Sequence, residues 1–213
     1  MSEGFIRFAM KKRATEEKRV RRMFAKRGGT LRTRDVLRKG VHPRTLYALR
    51  DEGVLEQIGR GLYRLASGAA VGNPDWIAMA ARLPRAVVCL VSALSHYGLT
   101  TQIPHTLDIA MPSHSQIPKV DGIPVRVFWY SPVSLRSGAK AVRMDGVKVR
   151  IFSAEKTIAD CFKYRNKLGT DVAVEALRLY RERTRKPDRA ALLEYARINR
   201  VVRVMTPYLE AIL

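Results

Sequence analysis

Residues that could carry out catalysis are present, but not at spacings that chemistry requires. The chain has four histidines, His42, His96, His105 and His114. They are scattered and lack the nearby cysteines or carboxylates of a metal site. Ser92, Ser95 and His96 are too close in sequence to form a triad without a placed acid, and His96 is more typical of a packed or capping residue. No P-loop, GxGxxG or HExxH pattern occurs, so we expect no catalytic residue, metal, cofactor or enzymatic activity.

A nuclease signature is approached but not completed. Such an enzyme needs an acidic residue followed by a (D/E)-x-K pattern at a strand end. Asp145, Glu155 and Lys156 come near it, but Glu155 and Lys156 are adjacent, which would point the lysine off the wrong face. Lys156 and Asp160 are spaced i,i+4, a spacing typical of a surface ion pair worth about 0.3 kcal/mol on a helix.

The charge of the chain favours a polyanionic partner. The 213 residues include 40 Lys and Arg against 19 Asp and Glu, a formal net charge of +21. Residues 1–70 hold 18 of the basic and 7 of the acidic side chains, about half of the excess. Nucleic acid is the commonest partner of such a surface, and an anionic membrane is the next. No apolar run reaches the roughly 18–20 residues of a membrane span, and two cysteines cannot build a disulfide framework. A reducing cytoplasm is therefore the expected location.

The first third of the sequence predicts three helices followed by a β-hairpin. We expect a flexible basic arm at residues 1–13 and a helix from Ala14 to Lys26. A short helix is capped by Thr33, and a third helix begins at Pro43 with His42 at its cap. Val54–Ile58 and Leu62–Leu65 then flank Gly59-Arg60-Gly61, whose glycines permit a tight turn. This is the element order of a winged helix-turn-helix at residues 14–66.

The third helix carries the side chains expected to read DNA in the major groove. Arginine can bridge guanine O6 and N7, and threonine can touch a thymine methyl. The helix start, the second helix and the wing would meet phosphates. The predicted DNA-binding residues are Arg32, Arg34, His42, Arg44, Thr45, Tyr47, Arg50, Arg60 and Arg64. A single exposed arginine is as often merely solvated, but element order, caps, turns and charge agree here.

A second, larger α+β domain follows a small-residue linker. The linker is placed at residues 67–74 and the second domain at residues 75–213, so the fold class is α+β. The segment "AVVCLVSALSHYGL" fits either a buried strand entering a helix or one helix ended by Gly98. Helices are expected at 154–165 and 171–185. The second of these and its continuation carry basic side chains that we interpret as a surface for an anionic partner or a solvated face: Arg178, Arg181, Arg183, Arg185 and Lys186.

The residues also resemble a known family. The segment "TRDVLRKGVHPRTLYALRDEGVLEQIGRGLYRL" is similar to the N-terminal winged helix of AbiEi antitoxins. "VCLVSALSHYGLT" and "FSAEKTIADCFKYRNKLGTDVAVEALRLY" resemble the matching C-terminal domain. The resemblance runs from about Leu31 to Leu179. It implies a bacterial protein of a type IV toxin–antitoxin system in phage defence: the winged helix represses its own operon, and the C-terminal domain neutralises a nucleotidyltransferase-type toxin.

The resemblance also implies partners. They are double-stranded operator DNA with inverted repeats and a toxin that need not form a stable complex with the antitoxin. The chain could be a monomer in solution that binds DNA cooperatively. Two other functions stay open: a nuclease targeted by a winged helix, and a transcriptional regulator that senses a small effector.

Overall fold

The fold is α+β, as predicted, and consists of two compact units. A computed structural model describes residues 3–67, 73–116, 120 and 122–213, with side chains from residue 11 onward. Residues 1–81 and 143–148 form the first unit, and residues 82–142 and 149–213 form the second. No helix in these described ranges is both long and apolar enough to cross a membrane.

The first unit contains the three predicted helices and the predicted hairpin. In chain order its elements are α1 (Glu3–Ala25), β1 (Thr30–Arg32), α2 (Thr33–Leu37), α3 (Pro43–Asp51), β2 (Leu55–Gly59), β3 (Leu62–Leu65) and α4 (Pro74–Arg82, which belongs to this unit as far as Ala81). β3 lies between β1 and β2 in an antiparallel sheet. The sequence did not predict β1, because three residues are too short to show a periodic pattern.

α1 begins at Glu3, so the flexible arm predicted for residues 1–13 is wrong where the backbone is described. Residues 5–25 contain neither glycine nor proline and are rich in alanine, methionine, lysine, arginine and glutamate, which favour helix. An i,i+4 ion pair links Glu17 to Arg21 at 2.7 Å and supports the helix further. The first two residues of the arm lie outside the described range.

The core of the first unit fixes the orientation of α3. Val20 and Phe24 of α1 pack with Leu46 and Leu49 of α3, and all four are buried. The exposed α3 residues therefore face away from this core. Val36 of α2 closes the same core, so that α2 and α3 are both anchored through their apolar sides.

α4 belongs to the first unit by its packing, although the sequence assigned it to the second domain. The guanidinium of Arg32 donates a hydrogen bond to the carbonyl oxygen of Ala81, and both residues lie in this unit. The compact unit thus extends beyond residues 14–66. Residues 68–72 of the predicted linker lie outside the described residues, and the exact domain ranges stay a prediction.

The second unit is built on a mixed sheet. Its strands are β4 (Val87–Val88), β5 (Leu107–Pro112), β6 (Val125–Tyr130), β7 (Ala139–Met144) and β8 (Val147–Phe152), in the order β6-β5-β4-β8-β7. β5 is parallel to β6 and antiparallel to β4, and β4 is parallel to β8. The turn between β7 and β8 is the part that belongs to the first unit.

Seven helices are described in the second unit: α5 (Leu90–Tyr97), α6 (Pro132–Arg136), α7 (Ala154–Lys163), α8 (Arg165–Leu168), α9 (Thr170–Arg183), α10 (Arg189–Asn199) and α11 (Val202–Ile212). The ambiguous segment around Cys89 is a strand followed by a helix, which Gly98 ends with a φ of +66°. The predicted helix 154–165 is divided at Tyr164 into α7 and α8. The predicted helix 171–185 is α9, which ends two residues earlier.

Ser153 caps α7, and its loss should destabilise the second unit modestly. Its hydroxyl oxygen accepts a hydrogen bond from the amide of Lys156 at 3.3 Å. Ser153→Ala should lower the free energy of unfolding by about 1 kcal/mol in urea titrations, because one amide of the first turn loses its partner. Ser137→Ala is the matched control, since that exposed hydroxyl donates to the carbonyl of Val133 and caps no helix start. Equal losses in the two variants would contradict the capping role.

Candidate nucleic-acid interface

α3 presents its N-terminal half to solvent. Pro43 occupies the first turn, where its missing amide hydrogen costs nothing. The Nδ1 atom of His42 accepts a hydrogen bond from the amide of Arg44 at 3.1 Å, so the predicted cap is confirmed. Arg44 is exposed, and Tyr47 retains 44% of its accessible surface. Within the first unit, this basic and aromatic face is available to a partner.

Arg50 lies on the same helix but is held by neighbours. Its guanidinium makes an ion pair of 2.7 Å with Asp51 and stacks over the ring of Tyr47 at 5.4 Å. The hydrogen bond that Arg50 donates to the carboxylate of Asp51 is the main cause that raises the pKa of Arg50. The charge of Arg50 is therefore partly compensated, and its orientation is fixed by the aromatic ring.

Thr45 is half-buried beside α1. It lines a groove of about 470 Å³ together with Arg44 and Ala48 of α3 and Lys12 and Arg13 of α1. Glu52 at the end of α3 forms an ion pair with Arg13. The predicted DNA-binding residues do not include Lys12 and Arg13, because the sequence predicts an arm at residues 1–13.

Of the two arginines predicted to bind DNA from the β2–β3 hairpin, one is exposed and the other is largely covered. Arg60 is exposed at the turn between β2 and β3, where Gly61 has a φ of +69°. Arg64 is largely covered: 13% of its side chain is exposed, and it makes a 2.7 Å ion pair with Glu56. Its Nη1 atom also lies 3.8 Å from the carboxylate of Asp145. Arg60 is exposed to solvent, whereas Arg64 is engaged inside the unit.

The two arginines around the start of α2 also differ in their exposure to solvent. The side chain of Arg34 is 71% exposed and lies 4.0 Å from Asp35. Arg32 is half-buried and donates to the carbonyl of Ala81. Burial is the main cause that lowers the pKa of Arg32, and the charge of Arg34 adds to it. Of this pair, Arg34 is the one exposed to solvent.

The basic residues predicted on α9 and beyond are all exposed: Arg178, Arg181, Arg183, Arg185 and Lys186. They do not form a uniform basic face. Arg178 lines a groove of about 550 Å³ whose other charged residues are Asp171, Glu175 and Glu182. Arg183 packs over Gly98 at the end of α5. Thr100 and Thr101 donate hydrogen bonds to Glu175, and the bond from Thr101 is the main cause that lowers its pKa.

Ser92 and His96 both contact neighbouring residues of the second unit. The hydroxyl of Ser92 accepts a hydrogen bond from the amide of Asp108 at 2.9 Å and donates one to the carbonyl of Thr106. Burial lowers the pKa of His96, whose ring contacts that of Tyr97 edge-on. Among the described residues, no group of three or more histidine, cysteine or acidic side chains could hold a metal ion.

Lys156 and Asp160 form a buried pair, so the surface pair predicted from their spacing is wrong. Both side chains are fully buried, and Lys156 donates a hydrogen bond to Asp160. The Nδ2 atom of Asn199 on α10 donates to the same carboxylate oxygen at 2.7 Å. Lys156 is thus committed to the core of the second unit and does not complete a nuclease signature.

The comparisons with known proteins agree with a regulatory class for the first unit. Residues 18–66 match the family model of transcriptional regulators described as AbiEi antitoxin. The predicted resemblance is confirmed for this segment, and its extension to Leu179 stays a prediction. The match supports a transcriptional regulator of the antitoxin type.

One solved structure with a similar fold is the crystal structure of the RV2827C protein from Mycobacterium tuberculosis. It is 15% identical, has a TM-score of 0.55, and the alignment covers 85% of this chain and 71% of that chain. At this identity the likeness concerns the fold alone. No curated protein matches the chain significantly.

Proposed function

We propose that the protein is a transcriptional repressor that binds operator DNA through a winged helix-turn-helix in its first unit. The observation that carries the proposal is the arrangement of α3: Leu46 and Leu49 anchor the helix in the core, while Arg44 and Tyr47 point to solvent. A major groove accepts an α-helix presented in this way. α2 and the β2–β3 hairpin, with the exposed Arg34 and Arg60, would contact phosphates.

The C-terminal half of α3 should contribute less than the N-terminal half. Asp51 and Glu52 place two carboxylates there, next to Arg50 and Arg13 respectively. Phosphates would be repelled from this end and attracted to the amides at the helix start. We therefore assign base reading mainly to His42, Arg44 and Tyr47.

Arg44→Ala tests this assignment. Loss of one bidentate contact to a base should cost about 1–3 kcal/mol, or roughly 5- to 150-fold in affinity for the cognate operator. Gel shifts with the promoter duplex of its own gene and an unrelated duplex, each at two salt concentrations, measure the effect. A phosphate contact would instead weaken both duplexes alike and reduce the log–log salt slope by about 0.9.

Arg203→Ala is the matched control for Arg44→Ala. Arg203 is exposed on α11 of the second unit, so its replacement removes the same charge without touching α3. If both variants bind the operator as the wild-type protein does, α3 does not read DNA and the proposed function fails. We expect two copies to bind an inverted repeat cooperatively, with half-sites about one helical turn apart.

The second unit is proposed to neutralise a nucleotidyltransferase-type toxin, without the need for a stable complex. The support is the family match of residues 18–66 together with the exposed basic residues on and after α9. Co-expression of the neighbouring toxin with the full chain should restore growth. Arg178→Ala, Arg181→Ala and Arg185→Ala combined should reduce that rescue, and full rescue by the triple variant would remove these side chains from the role.

A further inference from the structure

The turn between β7 and β8 is a tight hairpin tip, residues 143–148, that packs within the first unit. Asp145 has a φ of +46° and Gly146 a φ of +78°. Two successive residues of positive φ are the requirement of a type I′ turn, which matches the twist of the flanking strands. The tip therefore has a defined shape.

The tip is closely packed against the segment that follows α1. A Cβ atom added to Gly146 would overlap the carbonyl oxygen of Arg27. A Cβ atom added to Gly28 would lie 2.5 Å from the Cα atom of Gly146. Both positions therefore need glycine, because any side chain would push the tip away.

Asp145 brings the tip to the base of the wing. Arg64, on the central strand β3, lies opposite Glu56 of β2 and Thr30 of β1. Its guanidinium approaches two carboxylates: that of Glu56 at 2.7 Å and that of Asp145 at 3.8 Å. The side chain of Glu56 is 53% exposed, whereas that of Asp145 is 6% exposed. The contact with Asp145 is the desolvated one of the two.

We propose that Asp145 is a positioning residue for DNA binding: it holds β3 through Arg64 and so sets the angle of the wing. Arg60, at the wing turn, lies four residues before Arg64, about 13 Å along the strand. A small tilt at Arg64 would therefore displace Arg60 from a phosphate. This proposal rests on the proposed function. It gives Asp145, which lies far from α3 in sequence, a role in the same DNA interface.

Electrostatics and positioning predict opposite effects when Asp145 is neutralised. Removal of a negative charge beside a DNA interface should tighten binding, because phosphates are repelled less. Loss of a positioning contact should weaken binding, because the wing no longer holds its angle. Glu56→Gln offers the comparison, since it also removes a carboxylate from Arg64 but leaves the tip untouched.

Asp145→Asn is the test variant. Asparagine tolerates positive φ, so the turn keeps its backbone. We expect Asp145→Asn to weaken binding to the promoter duplex about tenfold, while Glu56→Gln binds as tightly as the wild-type protein or more tightly. Fluorescence anisotropy with the full chain measures both. Amide exchange of residues 139–152 should be faster in Asp145→Asn than in Glu56→Gln, with or without DNA.

Two results would overturn the positioning role. One is an Asp145→Asn variant that binds the duplex at least as tightly as Glu56→Gln. The other is unchanged amide exchange of residues 139–152 in Asp145→Asn, which would show that the carboxylate does not hold the tip. If the wild-type protein binds no promoter duplex at all, the proposed function itself fails, and that outcome is distinct from either of these.

Discussion

Lys156→Met is expected to lower the free energy of unfolding by about 3–5 kcal/mol, because the variant leaves the carboxylate of Asp160 buried without its counter-charge. Both side chains are fully buried, and they are four residues apart on α7. Methionine fills a similar volume, so a cavity contributes little to the loss. Urea unfolding of the full chain at neutral pH, followed by far-ultraviolet circular dichroism, measures the effect.

The surroundings of the pair explain why the loss should be large. Lys156 lies over the rings of Phe152 at 4.6 Å and Tyr130 at 5.1 Å, two aromatic faces that attract a cation. Burial is the main influence on both pKa values: it lowers that of Lys156 and raises that of Asp160, and each charge opposes the shift of the other. Removal of the lysine takes away the counter-charge and leaves the hydrogen bond from Asn199 to offset only part of the cost of burying the carboxylate.

Two further variants separate the buried charge from general damage. Lys163→Met removes another lysine of α7 that stacks on Tyr130, at 5.4 Å, but this side chain is only half-buried. We expect it to cost less than about 1 kcal/mol. Adding Asp160→Asn to Lys156→Met should recover most of the loss, since the amide oxygen still accepts the bond from Asn199. Equal losses for Lys156→Met and Lys163→Met would contradict the importance of the pair.

The spacing of Lys156 and Asp160 could not reveal that they are buried. An i,i+4 pair on a helix is usually solvated, and periodicity identifies a surface only when one face of the helix is polar. α7 packs against α5, α9 and α10, so its polar side chains are also enclosed. Asn199, which donates a hydrogen bond to Asp160, is 39 residues away from it in sequence. A helix surrounded on several sides cannot be oriented from its own residues.

α3 and the β2–β3 hairpin were predictable because local signals define them. Pro43 and the cap at His42 mark the helix start, and Gly59 and Gly61 mark the turn between two short strands. These residues act on their own backbone, so a single sequence contains the information. Exposed positions such as Arg44 and Arg60 followed from the same pattern.

The surroundings of Arg64 could not be predicted from local signals. Its position on the second strand of the β2–β3 hairpin is local information, and the sequence predicted a DNA contact there. Asp145, which approaches it, lies 81 residues further along the chain, in a turn that joins two strands of another sheet. No spacing rule connects the two. The prediction for the start of α1 is wrong for a different reason. The positive charge of these residues indicated a flexible arm, although their types favour helix.

Gly146→Ala should destabilise the protein by about 2–4 kcal/mol, through strain at positive φ and through overlap with the backbone of Arg27. Gly53→Ala is the matched control, since Gly53 has a similar φ of +69° but nothing within 4 Å of an added Cβ atom. The control should therefore show the strain alone, about 1 kcal/mol. Thermal and urea unfolding of the two variants give the comparison.

The difference between these two variants measures how closely the tip approaches Arg27. Backbone atoms cannot rotate away as a flexible side chain does, so the overlap can be relieved only by moving the tip or the segment after α1. Movement of the tip should also speed amide exchange of residues 139–152 in Gly146→Ala and leave it unchanged in Gly53→Ala. If the two variants unfold at the same urea concentration, the tip is not packed against Arg27, and the support for Arg64 from Asp145 is lost with it.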